Sequence, residues 1–304
     1  MIIKSKIPIL YNGFSLADYL ASRFAYLDHD AWKKRVAENR FTRNEVILNE
    51  DSIVFHRDVI IYDMPDLDEP EANLDYKIIG QTEDFLVIDK PFGLMVHKHG
   101  INFRNNLIYH IRCLHEPPFP TADIVNRIDK NTSGIVLIAL NKKALAKLLK
   151  IFAEREINKT YFAVVLGVPN PLCGEICAPI AKITENLKEN NSNGRFCKVD
   201  SDKGKECQTE YETVKSANGH SLVKLSPKTG RTHQIRIHLA HIGTPIVGDT
   251  AYGLGEDEYK KYCEDNKIIP VETSRHLLHC SGVEFWFNRK VMYFNSPLPP
   301  EFDV

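Results

Sequence analysis

The sequence predicts an α+β protein: a mainly antiparallel, mixed sheet with flanking helices, preceded by a small helix–helix–strand module. Three observations carry this. Strand-like apolar runs and amphipathic helical segments are intermixed along the chain. Hairpin-type connections outnumber the strand–helix–strand units that a parallel sheet needs. One acidic, proline-containing stretch separates a short first part from a long second part.

The first part begins with a predicted helix over residues 15–27, with Ser15 as N-cap and Leu16, Leu20, Phe24 and Leu27 on one face. A second helix follows, capped by Asp28 or Asp30. It turns Trp32 and Val36 inward and carries Lys33, Lys34, Arg35 and Arg40 outside. Strand-like pieces around "EVILN" and "DVIIY" complete a module over residues 1–62. Residues 63–75, "DMPDLDEPEANLD", hold six acids, two prolines and no base, which predicts a linker that buries little.

From residue 76 to 304 the pattern is that of one larger domain. "DFLVIDKP" reads as a strand ending at Pro91, "GLMVHKHG" continues after a turn at Gly93, and "NNLIYHIRCLH" reads as a helix with Leu107, Ile111 and Leu114 on one side. "GIVLIAL" is a buried strand, "KKALAKLLKIFAERE" a helix and "KTYFAVVLG" a strand. Residues 183–206 are polar and predict an insertion or mobile loop. Strand and then helix character returns through "HSLVKLSPKTGRTHQIRIHLAHIG". After a surface excursion at 253–274, "GVEFWFNRKVMYFNSPLP" closes the chain with a hairpin.

Composition bounds the function. Apolar residues make up 43% and charged residues 26%, ordinary for a soluble globular protein. No apolar run reaches the length of a membrane span, and the N-terminus is too short and polar for a secretory signal. Seven scattered cysteines point to reduced thiols and a cytoplasmic location. The net charge of −1 selects no partner, but residues 213–244 hold no acid. The bases Lys215, Lys224, Lys228, Arg231 and Arg236 lie there, either as a face for a polyanion or as a solvated surface.

The residues suited to chemistry cluster in three places. Asp129 heads a polar turn, "DKNTSG", in which Thr132 and Ser133 supply hydroxyls and Gly134 can take a positive φ. By itself this also fits a turn-capping aspartate. Arg231 stands after the turn at Gly230 and alternates with His233 and Ile235. If a strand begins there, the three share a face. Arg231 could then meet Asp129 and hold it ionised, although a structural salt bridge would look the same. Tyr161 suits core packing, stacking on a planar ligand, or proton transfer. No metal site is expected from His233, His238 and His241, since no carboxylate lies near and the spacing scatters them.

Together these stretches resemble RluA-type pseudouridine synthases. "NRIDKNTSG" resembles their H-R-L-D-x-x-T-S-G signature, and "NKTYFAVVLG" the motif built around a tyrosine. "KTGRTHQIRIHLAHIGTPIVGDTAYG" is similar to their third motif, and "DFLVIDKPFGLMVH" to the strand and turn opening the catalytic domain. The family histidine is Asn126 here and its leucine Ile128. The first module is more weakly similar to the ribosomal-protein S-four type RNA-binding domain.

The resemblance implies a sheet of the pseudouridine synthase type and isomerisation of uridine in structured ribosomal or transfer RNA, without cofactor or metal. It implies Asp129 as the essential aspartate and Arg231 as its basic partner. Tyr161 would pack on the uracil, and Ile235 would line the pocket. Arg127 would enter the space left by the extruded base. Thr132 and Lys90 are expected on the substrate side. Lys33, Lys34, Arg35, Arg40, Lys228 and Arg236 are expected to contact RNA. A monomer is expected. The other class considered is an RNA-binding protein that keeps the fold without the catalysis.

Overall fold

A computed structural model describes residues 2–24, 27–63, 69–183 and 197–304. The chain divides into two compact units, Met1–Glu71 with Lys98–Asn106, and Ala72–His97 with Leu107–Val304.

The first unit holds strand β1 (Ile2–Lys6), helices α1 (Leu16–Arg23) and α2 (His29–Ala37), and strands β2 (Phe41–Arg43), β3 (Val46–Ile47) and β4 (Val59–Asp63). The strands form an antiparallel sheet in the order β1-β4-β2-β3. Ser15 caps α1 by accepting the Asp18 amide, and Asp28 caps α2 by accepting that of Ala31. Helix α1 stops at Arg23 rather than running on to residue 27; beyond it, the Phe24 carbonyl accepts the Trp32 indole N–H at 3.0 Å. Leu16, Tyr19, Leu20, Trp32, Val36 and Phe41 form the core.

Two features of this unit escape a linear reading. Strand β1 was not foreseen, because its burial alternates only weakly at a sheet edge. Lys98–Asn106 joins this unit although the chain has by then entered the second. The "linker" acid Glu69 accepts the amides of Arg104 and Asn105, so this part of the acidic stretch is pinned. Residues 64–68 of that stretch lie outside the described residues.

The second unit begins with β5 (Lys77–Gln81) and β6 (Phe85–Lys90), then α3 (Leu107–Tyr109) running into a π-helical turn, His110–Leu114. β6 ends at Lys90, the expected turn falls at Phe92–Gly93, and the chain then runs through bends to residue 97 with no further strand of this sheet. The wider π turn carries Leu114 to the surface, away from buried Leu107 and Ile111. There follow β7 (Asp123–Ile124), β8 (Ser133–Ala139), α4 (Lys142–Ala153), β9 (Ile157–Leu166), β10 (Cys173–Ile176), β11 (Ile180–Lys182) and β12 (Cys197–Val199). β13 (Thr209–Ala217), β14 (His220–Pro227), α5 (Gln234–His241), α6 (Glu256–Asn266), β15 (Leu278–Phe287) and β16 (Lys290–Asn295) complete it.

Ten of these strands form one sheet in the order β10-β13-β14-β9-β15-β8-β6-β5, with β16 on β15 and β7 on β8. Every pairing is antiparallel except β8 with β15. The fold is therefore α+β and mainly antiparallel. All seven residues of β8 are buried, as an unbroken apolar run requires of a central strand. The expected mobile insertion over 183–206 falls largely on residues 184–196, outside the described residues; its described end forms β12, paired with β11. Among the described residues, no helix is long and apolar enough to cross a membrane.

The parallel contact of β8 with β15 determines one residue. At Gly134 φ is +104°, and an added Cβ would lie 2.2 Å from the Cys280 carbonyl oxygen. Gly13, with φ +85°, has open space around the same position. Gly134→Ala is therefore expected to destabilise the protein well beyond the cost of a positive φ, which Gly13→Ala pays alone at about 1–2 kcal/mol. Urea unfolding of the two variants measures the difference, and equal losses would contradict the close-packing argument.

Candidate active site

Asp129 lies in the turn between β7 and β8, and two neighbours of that turn are tied to the sheet. The Asn126 carboxamide oxygen accepts the Leu137 amide at 2.8 Å, so the residue in place of the family histidine anchors the approach to Asp129. Thr132 is buried and its hydroxyl meets His276 Nε2 at 2.9 Å. Burial pushes His276 down to about 3, so it is neutral at physiological pH.

Two buried cations grip the turn by its carbonyls. Lys90 Nζ donates to Lys130 O at 3.1 Å and to Pro91 O and Leu94 O at 2.7 and 2.9 Å. Burial lowers its pKa to about 7, yet three carbonyl acceptors match the three donors of an ammonium, which favours the charged form. Arg275 Nη1 donates to Asn131 O and Leu278 O, both at 3.3 Å, while Nη2 pairs with Glu301 at 2.8 Å. Lys90 and Thr132 therefore hold the turn from behind. They do not present polar groups to a substrate as the sequence reading expected.

The partner of Asp129 is Arg236, not Arg231. Arg236 Nη1 donates to Asp129 Oδ2 at 3.1 Å, and the same guanidinium makes a fork to Asp249, Nε–Oδ2 2.7 Å and Nη2–Oδ1 2.8 Å. Asp249 is buried and also accepts the amides of Ala251 and Tyr252. Arg236 stacks over the Tyr252 ring at 5.0 Å. Arg231 is exposed, and among the described residues its guanidinium bonds only the Glu206 carbonyl, at 3.5 Å. The reason is local: no strand begins after Gly230. The chain turns, His233 takes φ +57°, and α5 starts at Gln234. The Gln234 side chain builds that turn. Its Oε1 accepts the Thr229 hydroxyl and the Arg231 amide, and its Nε2 donates to Gln208 O and Thr209 Oγ1. Arg236 is buried by this arrangement, so it does not belong to the RNA-facing surface expected for it.

The Asp129 side chain remains 28% exposed. Arg236 engages Oδ2, and His233 Nε2 stands 3.8 Å from Oδ1. Burial lowers the His233 pKa, so the ring stands beside the carboxylate as a neutral group; its Nδ1 meets the Tyr252 hydroxyl at 2.8 Å. One carboxylate oxygen is thus held and, among the described residues, the other accepts no hydrogen bond.

Tyr161 on β9 and Ile235 on α5 pack in the same apolar cluster. Burial, with the neighbouring Cys280 thiol second, pushes the Tyr161 hydroxyl well above its usual range. It can donate a hydrogen bond but cannot serve as a phenolate base near neutral pH. Arg127 is exposed, with Nη1 3.1 Å from His97 Nε2. On the surface, Lys228 pairs with Glu210 at 2.7 Å, Arg35 and Arg40 lie near Glu38 at 3.7 and 3.4 Å, and Lys33 near Glu50 at 3.8 Å. Those bases are more neutralised than the sequence suggests. Sequence reasoning missed Asp249, Gln234 and Arg275. The first two sit inside the quoted third motif, where their polarity amid apolar residues was the available signal.

The solved structure of human RNA pseudouridylate synthase domain containing 1 matches with a TM-score of 0.60 and 24% identity, covering 77% of this chain and 89% of that one. The fold is that of a pseudouridylate synthase. The RNA pseudouridylate synthase family model matches residues 84–241, which include Asp129, Tyr161 and Arg236. Ribosomal large subunit pseudouridine synthase D of Buchnera aphidicola subsp. Acyrthosiphon pisum is 30% identical over 95% of this chain and 93% of its own length. Synthase C of Buchnera aphidicola subsp. Baizongia pistaciae is 34% identical over 73% and 66%. The chain belongs to the RNA pseudouridylate synthase family and is a pseudouridine synthase, an isomerase.

Two outcomes follow from the buried groups. Asp249→Asn leaves Arg236 without its anchoring charge, at an expected cost of about 3–5 kcal/mol in urea unfolding. His276 titrates at about 3 when folded against 6.5 for the ordinary group. The unfolded chain therefore binds the extra proton between those values, and stability falls as pH drops from 6.5. The buried His238 and His279, also shifted down, act in the same direction. His276→Gln should reduce the slope of stability against pH in that window by up to about 1.4 kcal/mol per unit. An unchanged slope would contradict the neutral buried ring.

Proposed function

We propose that this synthase isomerises uridine in ribosomal RNA and that Asp129 is its catalytic group. The names of its relatives, ribosomal large subunit pseudouridine synthases, favour ribosomal over transfer RNA. The observation that carries the proposal is the half-engaged carboxylate, with Oδ2 on Arg236 and Oδ1 open.

In the reaction the C1′–N1 bond breaks, the uracil turns, and a C1′–C5 bond forms, while C5 loses its proton and N1 gains one. Atoms and electrons balance without an oxidant or an added group. Asp129 acts at the ribose, as nucleophile at C1′ or as base at C2′, and both roles need the ionised form. Arg236, always charged, donates to Oδ2 and orients the carboxylate, and is itself held in place by Asp249. Tyr161 and Ile235 flank the uracil, with the tyrosine hydroxyl as a neutral donor. The target must first leave its stack, at roughly a few kcal/mol. Exposed Arg127 fills the vacated space, and Lys33, Lys34, Arg35, Arg40 and Lys228 offset the cost by contacting phosphates. The first unit serves as an RNA-binding module.

Ribosomal RNA labelled with tritium at uracil C5 tests this. Wild type is expected to release tritium to water. Asp129→Asn should lower the rate by at least about a thousandfold with RNA binding kept. Release by Asp129→Asn at the wild-type rate, or release from transfer RNA alone, would refute the corresponding part.

A further inference from the structure

A second cation stands on the same strand as Tyr161. Lys159 lies two residues earlier on β9; the bulge opposite this stretch places its extra residue, Ser281, on β15, so β9 itself stays in step and the two side chains share a face about 6.5 Å apart. β14 pairs with β9 only from Tyr161 onward, and after β14 ends at Pro227 the chain bends at 228–229. Lys159 Nζ reaches into that bend, 3.3 Å from Thr229 O. It also stands 3.9 Å from where a Cβ at residue 230 would lie, so the glycine leaves room on that side.

The environment of this ammonium is incomplete. Lys159 is partly buried, and burial lowers its pKa. An ammonium has three donors. Among the described residues its one hydrogen bond is the long contact to Thr229 O, and no carboxylate pairs with it. The nearby Cys280 is pushed up to about 11 by burial, so it is a neutral thiol and offers no counter-charge. Lys90 shows the contrast: three carbonyls complete its shell. Two unfilled donors on a half-buried cation beside the uracil-packing tyrosine indicate a group completed by substrate.

Resting on the assignment of Tyr161 to the target base, we propose that Lys159 contacts the extruded nucleotide and donates to an anionic oxygen of it. That oxygen belongs either to a flanking phosphate or to the uracil carbonyl that gains charge as the C1′–N1 electrons pass to the base. The ammonium keeps its proton in both cases.

Lys159→Met, Lys159→Gln and Lys159→Arg, assayed by single-turnover tritium release and by RNA affinity across a salt series, test the proposal. Loss of at least about tenfold in rate or affinity is expected for methionine and glutamine, with partial recovery in arginine. A phosphate contact weakens affinity and flattens its salt dependence by about one ion, with the rate at saturating RNA unchanged. A uracil contact lowers that rate and leaves affinity alone. Glutamine, which keeps a neutral donor, serves if methionine does not fold. Rate and affinity both within about twofold of wild type in a folded variant would overturn the proposal. Absence of release by wild type would instead defeat the catalytic reading itself.

Discussion

The chain of charge Asp249–Arg236–Asp129 is the constraint on which the site depends. A buried guanidinium is costly unless paired, and Asp249 meets two of its nitrogens at 2.7 and 2.8 Å. That fork fixes the plane of Arg236 and aims its remaining nitrogen at Asp129. Asp249 in turn is held by the Ala251 and Tyr252 amides; burial pushes its pKa up, but Arg236, with the Tyr252 amide and His276, brings it below the ordinary value. The order matters. Asp129 makes a single bond to Arg236, so the rigidity of the pair comes from its partner's partner.

The same logic governs the turn that carries Asp129. Its backbone is gripped at Lys130 O and Asn131 O by cations from two distant stretches of chain. The polar side chains on either side of it, Asn126 and Thr132, are spent on the sheet and on His276. Gly134 lets β8 pass against β15 so closely that no side chain fits. Each device removes freedom from the turn without touching the carboxylate. This is how a partly exposed aspartate can be held in place while one of its oxygens remains open.

The arrangement also separates two kinds of cation. Lys90, Arg275 and Arg236 are buried and have carbonyl or carboxylate partners; they position. Arg127 and Arg231 are exposed and make long or neutral contacts. In the linear sequence these look alike, and the residue types give no means of telling them apart. Burial and partner count do.

Most elements were legible because their signals are local. The buried run of β8, the amphipathic stripe of α4 and the caps Ser15 and Asp28 each depend on a few neighbouring residues. The motifs placed Asp129 and Tyr161 for the same reason. What the sequence could not decide was pairing across the fold. Arg231 and Arg236 are five residues apart, and which one meets Asp129 turns on whether the chain after Gly230 extends or coils. Gln234 decides that by bonding to Thr229, the Arg231 amide, Gln208 and Thr209, and two of those contacts cross to another strand. The joining of Lys98–Asn106 to the first unit is of the same kind. Residue types and their period set the elements; only the assembled sheet and helix set which charges are buried together, because that depends on distances no sequence separation encodes.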